Sequence, residues 1–272
     1  MSLSTVRVMT PGCSQGGWRA VWRYRQLWRS LTLRNLRIKY QRSALGFVWT
    51  LLNPLLTVAV LATVFRYIVK VPLPHYVAFL LSGYFAWNFI LQTLSAGTYV
   101  LAEHAQLSRS APFPKEIPVL AAISSRLVEF ALELGLVLLG LGLTHHHGIP
   151  SSVVWLPWLV AMQVLLAFGL LCPIASLSVY YRDVQHILPI ALTLLFYASP
   201  VFYPARFVPE ALQSVYLANP VAQLLTAYHV VLYDGQAPPL SLVATLTAAS
   251  CGIAGVGYAL FNRAQADIAE VV

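Results

Sequence analysis

The sequence predicts an all-α integral membrane protein: one domain of six transmembrane helices, with a basic amphipathic helix lying along the membrane surface before the first of them. Three observations lead there. Of 272 residues, 58% are hydrophobic and only 10% are charged, and the mean hydropathy is +0.71, which leaves too little polar surface to coat a soluble globule. Apolar runs of about 20 residues or more, the length that crosses roughly 30 Å of hydrocarbon, recur along the chain. These runs are continuously apolar and rich in Leu, Ala and Val rather than alternating in polarity, which excludes transmembrane β-strands.

The runs fall at 44–65, 76–102, 118–143, 151–181, 184–205 and 238–261. The third crosses only by carrying Arg126, Glu129 and Glu133. No internal repeat or low-complexity linker divides residues 1–272, so the chain reads as a single domain. Nine of the 17 Lys and Arg precede residue 43. Placing the N-terminus in the cytoplasm also puts Arg109, Lys115, Arg182 and Arg263 inside, and leaves Arg66, Lys70 and Arg206 outside, so both termini are expected in the cytoplasm. The first apolar run is too long for a signal-peptide core and is expected to stay as an anchor.

Residues 18–42 form the basic segment. On a helical wheel Arg19, Arg23, Gln26, Ser30, Arg34 and Arg37 share one face, and Tyr24, Leu27, Trp28, Leu31 and Ile38 share another, which is the pattern of an interfacial helix on the cytoplasmic leaflet. Attraction to anionic lipid accounts for such charge on its own. The sharper expectation is that Arg34, Arg37, Lys39 and Arg42, where this helix meets the first span, receive an anionic head group brought in as substrate.

Between the second and third spans lies the cytoplasmic segment 103–120, "EHAQLSRSAPFPKEIPVL". Its prolines Pro112, Pro114 and Pro118 break the helix and restart it near Glu116. Ahead of the last span, the stretch from 199 is amphipathic and punctuated by Pro200, Pro204, Pro209 and Pro220. It reads as short helices over 204–235 that dip into the outer side of the membrane and return, a backbone tolerated at that depth only when buried in protein or facing water.

Arg126 and Glu129 are spaced to pair on one helical face that Glu133 shares. A structural salt bridge near the cytoplasmic end of the span and the lining of a pathway both fit such charges. Several aromatics cluster near the span ends, among them Phe47, Trp49, Tyr84, Phe85, Trp87, Phe196, Tyr197, Phe202 and Tyr203. Interfacial belts produce such clusters, and so does a pathway for sugars, whose apolar C–H faces stack on aromatic rings. The histidine run "THHHG" at 144–148 is expected to be an exposed loop rather than a metal site, since consecutive side chains diverge and no Cys or carboxylate adjoins. Cys13, Cys172 and Cys251 have no metal or disulfide spacing. The chain contains no GxxxxGK[ST] segment, so no nucleotide-binding P-loop is present and ATP-driven work would come from another chain. The scattered acids give no catalytic set.

A basic helix followed in order by "SALGFVWTLLNPLL", "PFPKEIPVL", "YYRDVQHILPI", "SPVFYP" and "LANP" resembles the polysaccharide-exporting permease subunits of type-2 ABC transporters, which move O-antigens, teichoic acids and related lipid-linked glycans. The likeness runs over nearly the whole chain. It implies a homodimer of six-helix subunits in the bacterial inner membrane, with two ATP-binding subunits that hold ATP and Mg while this chain holds no cofactor. The implied cargo is an undecaprenyl-diphosphate-linked polysaccharide, and no nucleic acid is involved. It further implies that 103–120 couples to the ATPase, with Ser110, Phe113, Pro114, Lys115 and Glu116 at the contact and Phe113 as its aromatic anchor. Lys115 stands where the family pattern has an arginine, which keeps the charge and loses the forked geometry. Phe47, Trp49, Tyr84, Trp87, Phe196, Tyr197 and Tyr203 are the expected glycan-facing aromatics. A type-2 permease for drugs or small lipids, and less readily an intramembrane enzyme of polyprenyl-linked sugars, remain as alternatives.

Overall fold

The basic segment and the apolar runs form helices because each can bury one face. The computed structural model describes residues 18–40, 48–103, 113–144 and 150–271, and every regular element among them is helical. Helices α1 (Trp18–Arg23) and α2 (Arg25–Tyr40) make up the basic segment. A single helix over 18–42 is expected; the chain instead turns at Tyr24, whose amide donates to the Val21 carbonyl three residues back, tightening that turn. The polar face is as the wheel places it, with Arg23, Gln26, Ser30, Arg34 and Arg37 exposed. Most of the apolar face does not meet lipid. Val21, Leu31, Tyr24, Leu27 and Trp28 pack on Phe113, Ile117 and Ala121 at the start of a long helix, and Trp28 Nε1 donates to Ser124 Oγ at 3.0 Å.

That first span is α3 (Val48–Thr63), prolonged by a π-helical turn over Val64–Ile68. Its buried residues Thr50, Pro54, Val58 and Ala62 repeat every four positions, one narrow face. They pack on α4 (Tyr76–Ala96), which lies near the centre of the domain and touches five other helices. The long helix, α5 (Glu116–Thr144), restarts at Glu116 as the prolines dictate. A 3₁₀ turn at Ser151–Trp155 leads into α6 (Leu156–Tyr180), and the last helix, α10, spans Leu240–Val271.

Four stretches are long and apolar enough to cross a membrane, Val48–Ile68, Tyr76–Ala96, Ser151–Tyr180 and Leu240–Ala264. Helix α5 has the length but carries four ionisable residues, Glu116, Arg126, Glu129 and Glu133, within its first two-thirds. The run expected to span 184–205 ends early: α7 (Val184–Tyr197) has 14 residues, about 21 Å at 1.5 Å per residue. Pro200 and Pro204 follow closely and do not continue a helix. Beyond them α8 (Glu210–Ala218) and α9 (Pro220–Tyr228, prolonged by a π-helical turn over His229–Tyr233) meet at a bend of 98°. Asn219 makes the corner: its side chain accepts from the Val221 amide at 3.0 Å, Pro220 takes the first helical position, and Asn219 Nδ2 donates to Ser199 Oγ at 3.1 Å. The returning limb is clasped to α4 by His229. Its ring stacks on Phe79 with centroids 4.0 Å apart, Nε2 donates to the Pro200 carbonyl at 2.8 Å, and Nδ1 meets Ser82 Oγ at 2.9 Å.

Helices α6 and α10 form the most extensive pair among the described elements. In hydrocarbon no hydrophobic force drives helices together, and close backbone approach through small residues takes its place. A Cβ on Gly169 would meet the Ile253 backbone, and one on Gly257 would collide with the Gly169 carbonyl. We expect Gly257→Ala to cost on the order of 1–3 kcal/mol by forcing the helices apart, read as a lower melting midpoint in detergent. Gly252→Ala and Gly255→Ala, whose added Cβ meets nothing within 4 Å, should leave the midpoint in place. Equal midpoints for all three would remove this contact as a determinant of stability.

Candidate functional site

A carboxylate inside an apolar bundle requires cationic partners, and Glu129 has two. Its oxygens accept from Lys39 Nζ, both at 2.9 Å, and from Arg126 Nη1 at 2.8 Å. Arg126 is the neighbour one turn back on α5, so the expected pairing forms. Lys39 arrives from α2, 90 residues away in sequence, and its partnership with Glu129 is not legible in any spacing. Burial pushes the Lys39 ammonium below its ordinary value and the Arg126 charge adds to this, while the Glu129 carboxylate pulls the other way. Glu133, one turn further along α5, accepts from Asn88 Nδ2 of α4 at 3.0 Å.

These groups stand at the junction of two adjoining cavities. One, of about 400 Å³, is lined by Arg34, Asn35 and Lys39 of α2, Gln92, Ser95 and Tyr99 at the end of α4, and Ser125, Arg126 and Glu129 of α5. The other, of about 500 Å³, is lined by Lys39, Trp49, Asn53, Tyr84, Asn88, Gln92, Glu129 and Glu133. Lys39, Gln92 and Glu129 belong to both, so the two make one cleft. It leads from the basic helices inward between α3, α4 and α5. Tyr84, Asn88 and Gln92, four residues apart, form a polar stripe down one face of α4 that faces it. Asn53, Asn88 and Gln92 were not singled out from the sequence. The signal that finds them is an amide inside an apolar span, a group that requires a polar neighbour there.

Of the four cations expected at the membrane surface, Arg34 and Lys39 line the cleft, Arg37 is exposed on the outer face of α2 and does not, and Arg42 lies outside the described residues. The aromatics divide in two. Trp49 and Tyr84 stand in the cleft. Trp87 is buried and begins a separate ladder: its ring lies 5.5 Å from Phe196, which touches Tyr197 at 5.4 Å and Phe202 at 5.5 Å; Phe202 touches Tyr203 at 4.9 Å, and Tyr203 lies 6.2 Å from Tyr216. Tyr203 also donates to the Tyr197 carbonyl at 2.7 Å. Phe47 and the histidines 145–147 lie outside the described residues. Among the described residues no group of three His, Cys, Asp or Glu is placed to hold a metal ion.

In the coupling segment, Ser110 lies outside the described residues, and the rest turns inward. Phe113 is 6% exposed and packs against Val21 and Leu31, so its ring is engaged within the chain rather than presented as an anchor for a partner. Pro114 is buried and Lys115 half-buried. Glu116, 2% exposed, accepts from Tyr258 of α10 at 3.5 Å. The start of α5 is thus a node joining the basic helices, through Phe113 and Ser124, to the last span.

The family model described as ABC-2 type transporter matches residues 26–233. The O-antigen export system permease protein RfbA of Myxococcus xanthus is 30% identical over 256 residues, covering 93% of this chain and 98% of that protein. Klebsiella pneumoniae has an O-antigen export system permease protein RfbA that is 23% identical over 245 residues, 89% of this chain and 93% of that protein. The polysialic acid transport protein KpsM of Escherichia coli is 24% identical over 201 residues, 72% of this chain and 77% of that protein.

Because Glu129 is the shared acceptor, its removal takes from Lys39 and Arg126 the carboxylate that both of them contact. Breaking a buried pair costs about 3–5 kcal/mol when both charges are fully enclosed; here Lys39 keeps 38% of its side-chain exposure and Arg126 20%, so about 1–3 kcal/mol is expected for Glu129→Ala. Lys39→Ala leaves Glu129 with Arg126 and should cost about 0–1 kcal/mol. Thermal midpoints in detergent measure the order, and an equal or larger loss for Lys39→Ala would show that Glu129 is not the hub.

Proposed function

The chain belongs to the ABC-2 type transporter family and is a multi-pass membrane protein; from that premise we propose that it is the membrane subunit of an ATP-driven exporter of a lipid-linked polysaccharide of the O-antigen class. The observation that carries this reading is the cleft, where Arg34, Lys39 and Arg126 converge. In this reading a polyprenyl diphosphate presents its head group at the membrane surface beside α2. The diphosphate takes the place that Glu129 holds, exchanging one anion for another against Lys39 and Arg126. The polar stripe of α4 then offers the first sugars hydrogen bonds inside the bundle.

The aromatic ladder from Trp87 to Tyr216 supports the outer half of the route, since stacked rings hold a polymer without the strong hydrogen bonds that would trap it. The orientation has both termini in the cytoplasm of a bacterial inner membrane. Counting α5, whose Glu129 is met by Lys39 and Arg126, and α7 with the residues that follow it, six spans are reached. A second copy completes the passage, and two ATP-binding subunits with their ATP and Mg drive it. They press on the segment 103–120, and the node at the start of α5 distributes the push to α2 through Phe113 and to α10 through Glu116. Phe113 acts here as a positioning residue rather than a contact.

Each cation at the surface contributes about 1 kcal/mol toward an anionic head group. Replacing Arg34, Arg37, Lys39 and Arg42 together by Gln should therefore lower export of a polyprenyl-diphosphate glycan at least tenfold in vesicles containing the ATPase, with insertion and ATPase association intact. Unchanged export would reduce these residues to orientation signals.

Phe113→Ala should leave insertion intact, expose α1 and α2 to limited proteolysis, and abolish stimulation of the ATPase. Proteolysis and stimulation like those of the parent chain would remove Phe113 from the coupling path.

A further inference from the structure

At the end of the bundle away from α1 and α2, the helices α4 and α5 and the π-helical turn over His229–Tyr233 enclose another cavity, of about 390 Å³. It shares no lining residue with the cleft. Leu81 and Phe85 lie seven residues before Asn88 and Gln92, on the same side of α4 but two turns, about 10 Å, nearer its start. Its walls are hydrocarbon, with Val137 and Leu141 of α5 opposite Leu81 and Phe85. Its polar lining is Arg66, His75 and Tyr233, and among the described residues no Asp or Glu lines it.

Arg66 is the unusual member. It lies within the apolar stretch Val48–Ile68, two residues from its end, and is exposed. Its guanidinium is 5.8 Å from the Tyr67 ring centroid, and among the described residues it makes no ion pair. A cation at the margin of the hydrocarbon reaches toward the head-group layer and pairs with an anion there. An apolar cavity of this volume is in the range that holds a small apolar ligand, and the medium next to it is lipid.

We propose that this cavity is a binding site for an anionic glycerophospholipid of the leaflet facing away from α1 and α2. One acyl chain lies between α4 and α5, and the phosphate sits on Arg66 with His75 beside it. The ligand bridges the end of α3 to the returning limb after α9, whose Tyr233 hydroxyl is fixed to the Pro74 carbonyl at 2.7 Å. The inference rests on the chain lying in a bilayer and is independent of the diphosphate exchange proposed for the cleft.

The test uses the full chain, without its ATPase, reconstituted in nanodiscs of phosphatidylcholine containing phosphatidylglycerol and released into mass spectrometry. Retention of one phosphatidylglycerol per chain in preference to phosphatidylcholine is expected. Arg66→Ala should lower the retained phosphatidylglycerol at least tenfold, and Lys70→Ala, a cation outside the cavity, should not. Gly140→Leu fills the space that a Cβ at this position would enter without contact within 4 Å, and should abolish retention of either lipid. Ala78→Leu, which narrows the cavity from α4, does the same should Gly140→Leu fail to fold. Equal retention by the parent chain, Arg66→Ala and a folded cavity-filling variant overturns the site. Displacement of the bound lipid by polyprenyl phosphate at concentrations where added phosphatidylglycerol does not displace it also overturns it, and assigns the cavity to the transported lipid. Loss of export in the cleft variants with lipid retention intact would bear on the cleft alone.

Discussion

An ionised carboxylate is costly inside hydrocarbon unless cations meet it, and the way Glu129 meets this requirement organises the half of the molecule nearest the basic helices. One cation is local, supplied by Arg126 on the same helix. The other comes from α2, so the salt bridge to Lys39 fastens a surface helix to a helix of the bundle. Trp28 with Ser124, and Phe113 with Val21 and Leu31, fasten the same two elements elsewhere along their length. Without the charge pair the apolar contacts would still hold α2 in place, but the cleft would lose the cation that both of its cavities share.

Helix α4 divides the functions of the domain by face and by position along its length. Its amide-bearing stripe turns toward α3 and α5 and makes the cleft polar; Leu81 and Phe85, two turns nearer its start than Asn88 and Gln92, line the apolar cavity; Phe79, Ser82 and Gly83 receive His229 from the returning limb. A Cβ on Gly83 would stand 2.6 Å from His229 Cε1, so the clasp exists only because that position lacks a side chain. The aromatic ladder starts on the same helix at Trp87 and leaves it at once for α7 and the segment that follows. A single central helix therefore fixes the geometry of the polar cleft, the aromatic ladder and the clasp of the re-entering limb.

Much of this was legible in the sequence. All six apolar runs correspond to helical elements that begin within four residues of their expected starts, because continuous apolarity is a local property. The restart at Glu116 follows from Pro112, Pro114 and Pro118, and the Arg126–Glu129 pair from their spacing. The stretch 184–205 is uniformly apolar, so composition marks it as a span, yet the helix ends at Tyr197 ahead of Pro200. Proline placement was the better guide there. The inward turn of Phe113 and Glu116 was not legible at all, since a charged, aromatic, proline-rich segment has the composition of a docking surface whether its side chains face a partner or their own chain. Lys39 with Glu129 was equally hidden, as a contact between elements far apart in sequence leaves no periodic trace.

The glycine contact between α6 and α10 has a mechanical consequence. Two helices whose backbones touch at Gly169 and Gly257 cannot roll or slide past each other without collision, so they form a stationary frame. Helix α7, by contrast, buries only Leu192 and touches α4 and α6 lightly, and α3 is held along one narrow face with Pro54 within it. Among the described helices, α3 and α7 are thereby held less firmly than this frame.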